Sequence, residues 1–432
     1  MSPGGHEVKA AVSYPDDRST TAAPRVRVDA SRWPDVARVP RSSPVRARVA
    51  ERIVRRALGR LPLRVELGAA PHTGDQGPLV TVHDPQAFFR RLGTDGLIGF
   101  GESYMAGEWD TDDLVGVLTV LAANVASLVP RPLQSLRGLW ARRHPAPQRN
   151  TLHGARANIS RHYDLSNDLF ALFLDETMTY SAAVFRGFPA QWPKLADAQH
   201  RKIDRLLDLA QVTEGTRLLE VGTGWGELAL RAAARGAQVK TVTLSQEQRA
   251  YAIQRIEAAG HADRVSVELC DYRQVTGDFD AIVSVEMIEA VGEEYWPVYF
   301  DTLSGRLAPG GRIVLQAITM PHERMLATRD THTWIHKYIF PGGLIPSVEA
   351  MDQAARAAGL ATVYDDAYGP HYAETLRLWR ERFAEQGEQV AALGFDATFT
   401  RMWEFYLAYS EAGFRARYLD VHQLVLTKAG AR

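Results

Sequence analysis

The chain has 432 residues, of which 46% are hydrophobic and 23% charged, with a formal net charge of −1. That length buries a large core and leaves room for more than one domain, which excludes a fibre or a wholly disordered chain. A near-neutral balance supplies no global field for nucleic acid, and the single cysteine, Cys270, excludes internal disulfides and fits a cytosolic setting.

Residues 1–44 are rich in Ser, Pro, Ala and Arg without hydrophobic periodicity, and read as a disordered tail with no secretory signal. Residues 25–60 hold eleven arginines against Asp29, Asp35 and Glu51. This distribution suits a phosphate-bearing surface, or equally a solvated tail. A small N-terminal α/β domain, for lipid binding or another interaction, is expected over 45–130. It begins with an amphipathic helix, followed by strands at 63–67 and 79–84 and a helix over 85–92 capped by Asp84. GFGESYMAGEWD (99–110) reads as turns because of its glycines. The apolar run 114–129 is too short to cross a bilayer comfortably and reads as a buried or surface-lying helix. Residues 131–157 read as a basic linker.

From 158 the rhythm becomes strand, helix, strand. Apolar runs at 218–221, 239–244, 265–269, 279–285 and 312–318 alternate with helical segments, the pattern of a parallel sheet covered on both faces. Residues 320–418 are aromatic and mostly helical and read as a cap; 422–428 reads as a last strand closing the sheet. Ligands in such folds sit at the carboxyl ends of the strands. TRLLEVGTGWGE (216–227) follows the first strand with G-x-G-x-G and Glu220 just ahead of it, whereas a dinucleotide loop needs G-x-G-x-x-G. Segment 243–248 and the pair Asp271–Tyr272 end the next two strands, so three loops converge.

RHYDLSNDLFALFLDETMTYS (161–181), LLEVGTGWGELA (218–229), VTLSQEQ (242–248), CDYR (270–273), VSVEMIEAVG (283–292), WIHKYIFPGGLIPS (334–347) and GFRARY (413–418) together resemble the cyclopropane-fatty-acyl-phospholipid synthase family. Residues 160–428 carry the likeness, and 60–130 carry it more weakly. The resemblance implies an α/β fold of the class I S-adenosylmethionine (SAM)-dependent methyltransferase type. That fold is Rossmann-like, with a mostly parallel seven-stranded sheet, a helical cap and the smaller N-terminal domain. It also implies methyl transfer to a cis double bond of a phospholipid acyl chain. An alkene is a weak nucleophile, so it must be held in line in a dry pocket. The resulting cation needs aromatic faces and a proton acceptor.

By the same resemblance Glu220, Gly222, Gly224, Thr243, Leu244 and Gln248 contact SAM. Asp271 and Tyr272 border the adenine, while Tyr180 and Ser181 cover the methionine part. No carboxylate ends the second strand to bind ribose. Cyclopropane synthases hold a bicarbonate ion as proton acceptor, with a Cys, a Glu, a His, a Tyr and a backbone amide. Here the Glu matches Glu289, the Tyr matches Tyr372 and the amide matches Ile318, but Ala182 stands at the Cys position and Gln316 at the His position. Either bicarbonate binds in an altered shell, or a protein carboxylate replaces it. Glu289 and Glu286 are then the candidates, with His162 as a further polar group.

The lost contacts favour a branch over a ring. If a hydride shift precedes proton loss, the product is a 10-methylene chain, which a flavin- or NADPH-dependent reductase converts to a 10-methyl branch, as in actinobacterial tuberculostearic acid synthesis. The alternatives are a cyclopropane product, a small-molecule N- or O-methyltransferase, and a non-catalytic lipid-binding protein; the acceptor-binding motifs of nucleic-acid enzymes are missing. The expected setting is cytoplasmic, peripheral on the inner face of the plasma membrane, as a homo-oligomer with no metal site.

Overall fold

The computed structural model describes residues 26–41, 44–68, 70–73, 76–124 and 166–430. His162, the expected linker at 131–157 and residues 1–25 of the expected tail lie outside them. The segment 26–41 corrects the reading of the whole of 1–44 as disordered. Its short helix α1 (Pro34–Ala37) buries Val36, and the Trp33 indole N–H donates to Asp396 at 2.9 Å. Buried Arg91 donates to the Val36 carbonyl at 2.6 Å. Two apolar anchors in a polar stretch are enough to order it, and averaged composition hides them.

Next come α2 (Pro44–Leu58), β1 (Arg64–Leu67), β2 (Ala70–Thr73), β3 (Leu79–Val82), α3 (Pro85–Asp95), α4 (Leu97–Met105), β4 (Trp109–Thr111) and α5 (Leu114–Ala123). The strands form a four-stranded sheet in the order β2-β1-β3-β4. Asp84 caps α3 as expected, accepting from the Ala87 N–H at 3.0 Å. The glycines at 99 and 101 mark a helix, α4, where turns were expected. A Cβ on Gly101 would lie 2.4 Å from the Trp334 ring, so close packing and not turn geometry selects glycine there.

The second sheet has seven strands in the order β10-β11-β9-β8-β5-β6-β7. They follow α6 (Asn167–Phe173) and α7 (Leu195–Leu209): β5 (Arg217–Val221), α8 (Glu227–Ala234), β6 (Gln238–Thr243), α9 (Gln246–Ala258), β7 (Val265–Leu269), β8 (Phe279–Val285), α10 (Trp296–Arg306) and β9 (Leu307–Thr319). These five strands run parallel, and their apolar side chains fill cores on both faces. The region read as a continuous cap is divided. After α11 (His322–Thr328), α12 (Trp334–Tyr338) and α13 (Val348–Ala357), the chain returns to the sheet as β10 (Leu360–Ala367). It then leaves again as α14 (Gly369–Glu385), α15 (Gly387–Ala392) and α16 (Ala397–Arg415). The last strand, β11 (Asp420–Lys428), lies between β9 and β10, antiparallel to both, so it fills the sheet while β10 forms the edge. Residues of β10 alternate between partly buried and exposed, which weakens its apolar signal.

Candidate active site

The carboxyl ends of β5, β6 and β8 open onto one cavity. Its wall includes Tyr180, Ser181, Glu220, Gly222, Gly224, Thr243, Leu244, Gln248, Tyr272 and Glu286. Asp271 is not on that wall. It is buried, caps the turn at Tyr272–Gln274, and holds Arg273 through two oxygens at 2.8 and 2.7 Å. Gly222, Gly224 and Gly226 take positive φ of 100°, 51° and 91°, which bends the chain from β5 into α8. A Cβ at Gly222 would sit 2.7 Å from Met287 on the opposite wall.

At the floor, Glu220 is 4% exposed and its Oε2 has no partner among the described residues. Burial pushes its carboxyl up to about 8. The Thr243 hydroxyl donates to Gln248 Oε1 at 3.1 Å, tying the end of β6 to α9. The bare glycine turn, the orphaned acid and this polar rim fit a nucleoside-bearing cation such as SAM.

Beside this cavity, three donors converge on one carboxylate. Glu286 Oε2 accepts from the Tyr372 hydroxyl at 2.6 Å, and Oε1 accepts from the Ala182 N–H at 2.9 Å and from Gln316 Nε2 at 2.8 Å. Glu286 also has φ of +50°, a left-handed backbone that a non-glycine residue adopts at a cost. Gln316 is oriented from behind: Gln423 Nε2 donates to its Oε1 at 3.0 Å, and Arg205 holds Gln423 Oε1 at 3.0 Å. Burial raises the Glu286 carboxyl, and its three donors work against that rise.

Glu289 has a different environment. It accepts from the Ile318 N–H, its Oε2 has no partner among the described residues, and burial, then the charge of Glu286, push it up to about 8. It is absent from the cavity wall, as are Tyr372 and Gln316. Of the groups matched to a bicarbonate shell, Gln316 and Tyr372 are therefore already engaged on Glu286, and the Ile318 amide on Glu289. Bicarbonate does not fit this site without displacing a protein carboxylate.

Aromatic rings continue from the wall into the cap. Tyr180 lies 5.2 Å from both Trp379 and Phe170, ring centroid to ring centroid, and its hydroxyl is 2.6 Å from that of Tyr406. Lys202 is a wall residue that sequence reasoning missed. It is 1% exposed and donates to Ser181 Oγ at 2.7 Å. Its signal was a lysine on the apolar face of α7, in line with Leu195, Ala198, Ile203 and Leu206.

The mycolic acid cyclopropane synthetase family matches residues 150–424. Tuberculostearic acid methyltransferase UfaA1 of Mycobacterium tuberculosis is 55% identical over 421 residues, covering 95% of this chain and 99% of that protein. The cyclopropane-fatty-acyl-phospholipid synthase of Escherichia coli is 34% identical over 354 residues, covering 81% and 87%. Among solved structures, the mycolic acid cyclopropane synthase CmaA1 complexed with SAH and CTAB superposes with a TM-score of 0.59 at 32% identity, covering 63% of this chain and 98% of that one.

Proposed function

The chain belongs to the mycolic acid cyclopropane synthetase family of SAM-dependent methyltransferases, and from that premise we propose that it methylates the cis double bond of a phospholipid acyl chain to give a 10-methylene product, with Glu286 as proton acceptor. The convergence of Tyr372, Gln316 and the Ala182 amide on Glu286, at the cavity wall, carries this reading.

When bound, SAM supplies an electrophilic methyl group. Glu220, Gly222, Gly224, Thr243, Leu244, Gln248 and Tyr272 would hold it from the strand ends, with Tyr180 and Ser181 above. On the acyl chain, a new C–C bond at one alkene carbon leaves a cation at the other. A hydride shift carries that charge to the methyl-bearing carbon. Glu286 then takes a proton from the new methyl group, and the C–H pair becomes the exocyclic double bond. Three donors on Glu286 oppose the upward push of burial, whereas Glu289, with backbone donors only and Glu286 beside it, is pushed up to about 8. The ring of Tyr180, on the cavity wall and backed by Trp379, gives the cation an electron-rich face.

The methylene product is the substrate for a separate flavin- or NADPH-dependent reductase. Among the described residues no helix is long and apolar enough to cross a membrane. The lipid is reached from the cytoplasmic face by way of α2, which exposes Val45 and Val49 beside Arg48, Arg52 and Arg56.

Incubation with SAM and a monounsaturated phospholipid tests the product by proton NMR, which separates exocyclic methylene from ring protons of equal mass. Methylene signals are expected. A cyclopropane product would overturn the branch-forming reading, and turnover of small amines or alcohols without lipid would overturn the substrate class.

A further inference from the structure

Lys202 is a buried cation for which the proton transfer above has no use. The acids facing it come from every side: Glu286 at the end of β8, Asp175 after α6, Glu220 on β5 and Glu227 on α8. Glu227 is matched elsewhere, by Arg255 at 2.5 Å and His200 at 3.0 Å. Asp175 accepts from the Thr177 hydroxyl at 2.8 Å. Among the described residues Glu286 and Glu220 face no cation but Lys202.

The same side chain has a mechanical role. Its Nζ donates to Ser181 Oγ at 2.7 Å, and one helical turn earlier Gln199 Nε2 donates to the Ser181 carbonyl at 2.9 Å and the Thr179 carbonyl at 3.3 Å. Helix α7 thus grips the strap 179–183 by three bonds. The next residue along that strap is Ala182, whose N–H points at Glu286.

We propose that Lys202 is a positioning residue for the reaction: its bond to Ser181 aims the Ala182 amide at Glu286, and its charge, on the same cavity wall, favours the ionised form of that carboxylate. This rests on the reading of Glu286 as proton acceptor, but it concerns the ionisation of Glu286 and can be measured without turnover. Burial drives the Lys202 ammonium down to about 8, so it carries charge at neutral pH and loses it above. The sign follows: a cation beside a carboxylate lowers the carboxylate pKa, so neutralising Lys202 raises that of Glu286.

The experiment follows the carboxylic C=O stretch of Glu286 by infrared spectroscopy against pH, assigned by its disappearance in Glu286→Gln. In Lys202→Met the Glu286 titration is expected to move up by about one pH unit or more. Lys202→Arg should restore it, and Ser181→Ala, which keeps the charge but loosens the aim of the Ala182 amide, should move the titration up by less than Lys202→Met does. Lys202→Gln is the parallel neutral variant for the case in which methionine prevents folding. An unmoved titration in either neutral variant overturns the proposal, whatever the activity. Conversely, full turnover by Glu286→Gln would sink the proton-acceptor reading and leave the infrared outcome unchanged.

Discussion

Glu286 and Glu289 are three residues apart and both partly buried, yet the hydrogen bonds around them differ. Replacing Glu286 by Gln is expected to lower kcat by about 10²–10⁴-fold, the usual range for a positioned proton acceptor. Glu289→Gln should cost less in kcat and change stability with pH. With its folded pKa raised to about 8, Glu289 binds its proton more tightly in the folded than in the unfolded chain. Its contribution is complete below about pH 4.5 and is lost as pH rises towards 8, at up to about 1.4 kcal/mol per pH unit. The Gln variant should therefore match wild type in Tm near pH 4.5 and exceed it at pH 7.5; equal melting at both would show that Glu289 is ionised in the folded protein. At this scale the sequence names Glu286 and Glu289 together with Tyr372 and Gln316, which the structure brings together, but not which carboxylate receives the donors. That choice depends on the left-handed turn at Glu286, which brings its side chain to the wall. Lys202 escapes because lysine on a helix is ordinarily solvated.

Among the elements, the central parallel strands β5 and β8 are legible because each is a largely apolar run buried on both faces, and the edge strand β7 because its alternate Val265, Val267 and Leu269 keep an apolar signal. Strand β10 is missed because an edge strand exposes alternate residues, and VYDD reads as polar loop. Helix α4 is missed because glycine ordinarily signals turns, whereas here Gly101 admits the Trp334 ring. Gly101→Ala should therefore destabilise the protein by about 1–3 kcal/mol, the range for overpacking a filled core. Gly387→Ala, with open space at its Cβ and no positive φ, should be neutral or slightly stabilising. Denaturant unfolding of both variants checks the contrast, and a silent Gly101→Ala would mean that the Trp334 side chain has room to yield.

For the molecule as a whole, the first sheet and the cap share one hydrophobic core, running from Val65 and Phe88 through Trp109 and Phe405 to Trp379. An ionic cluster around buried Glu102 pins the same boundary: Glu102 accepts from Lys337 at 2.5 Å and Tyr338 at 2.8 Å, and Lys337 also reaches Asp35 at 2.7 Å. The N-terminal unit is thus built into the wall behind the site, an attachment invisible to a chain-order reading. Its outer helix α2 carries the membrane prediction. Arg55 is occupied with Glu51 and the Phe89 ring, so the variant to make is Arg48, Arg52 and Arg56 to Glu. At about 1 kcal/mol per basic residue, binding to anionic vesicles should fall by roughly 100-fold or more at low salt. Undiminished sedimentation with those vesicles would remove α2 as the docking element. The tethering of Glu286 to its own backbone has a consequence beyond the molecule. An enzyme that borrows its proton acceptor from solution works only as often as that small anion is in place, and its output follows the carbon dioxide tension around the cell. A side chain is always in place, so turnover in carbonate-free buffer should equal turnover in buffer equilibrated with carbon dioxide, and lipid branching in the living cell should be indifferent to the gas it grows under.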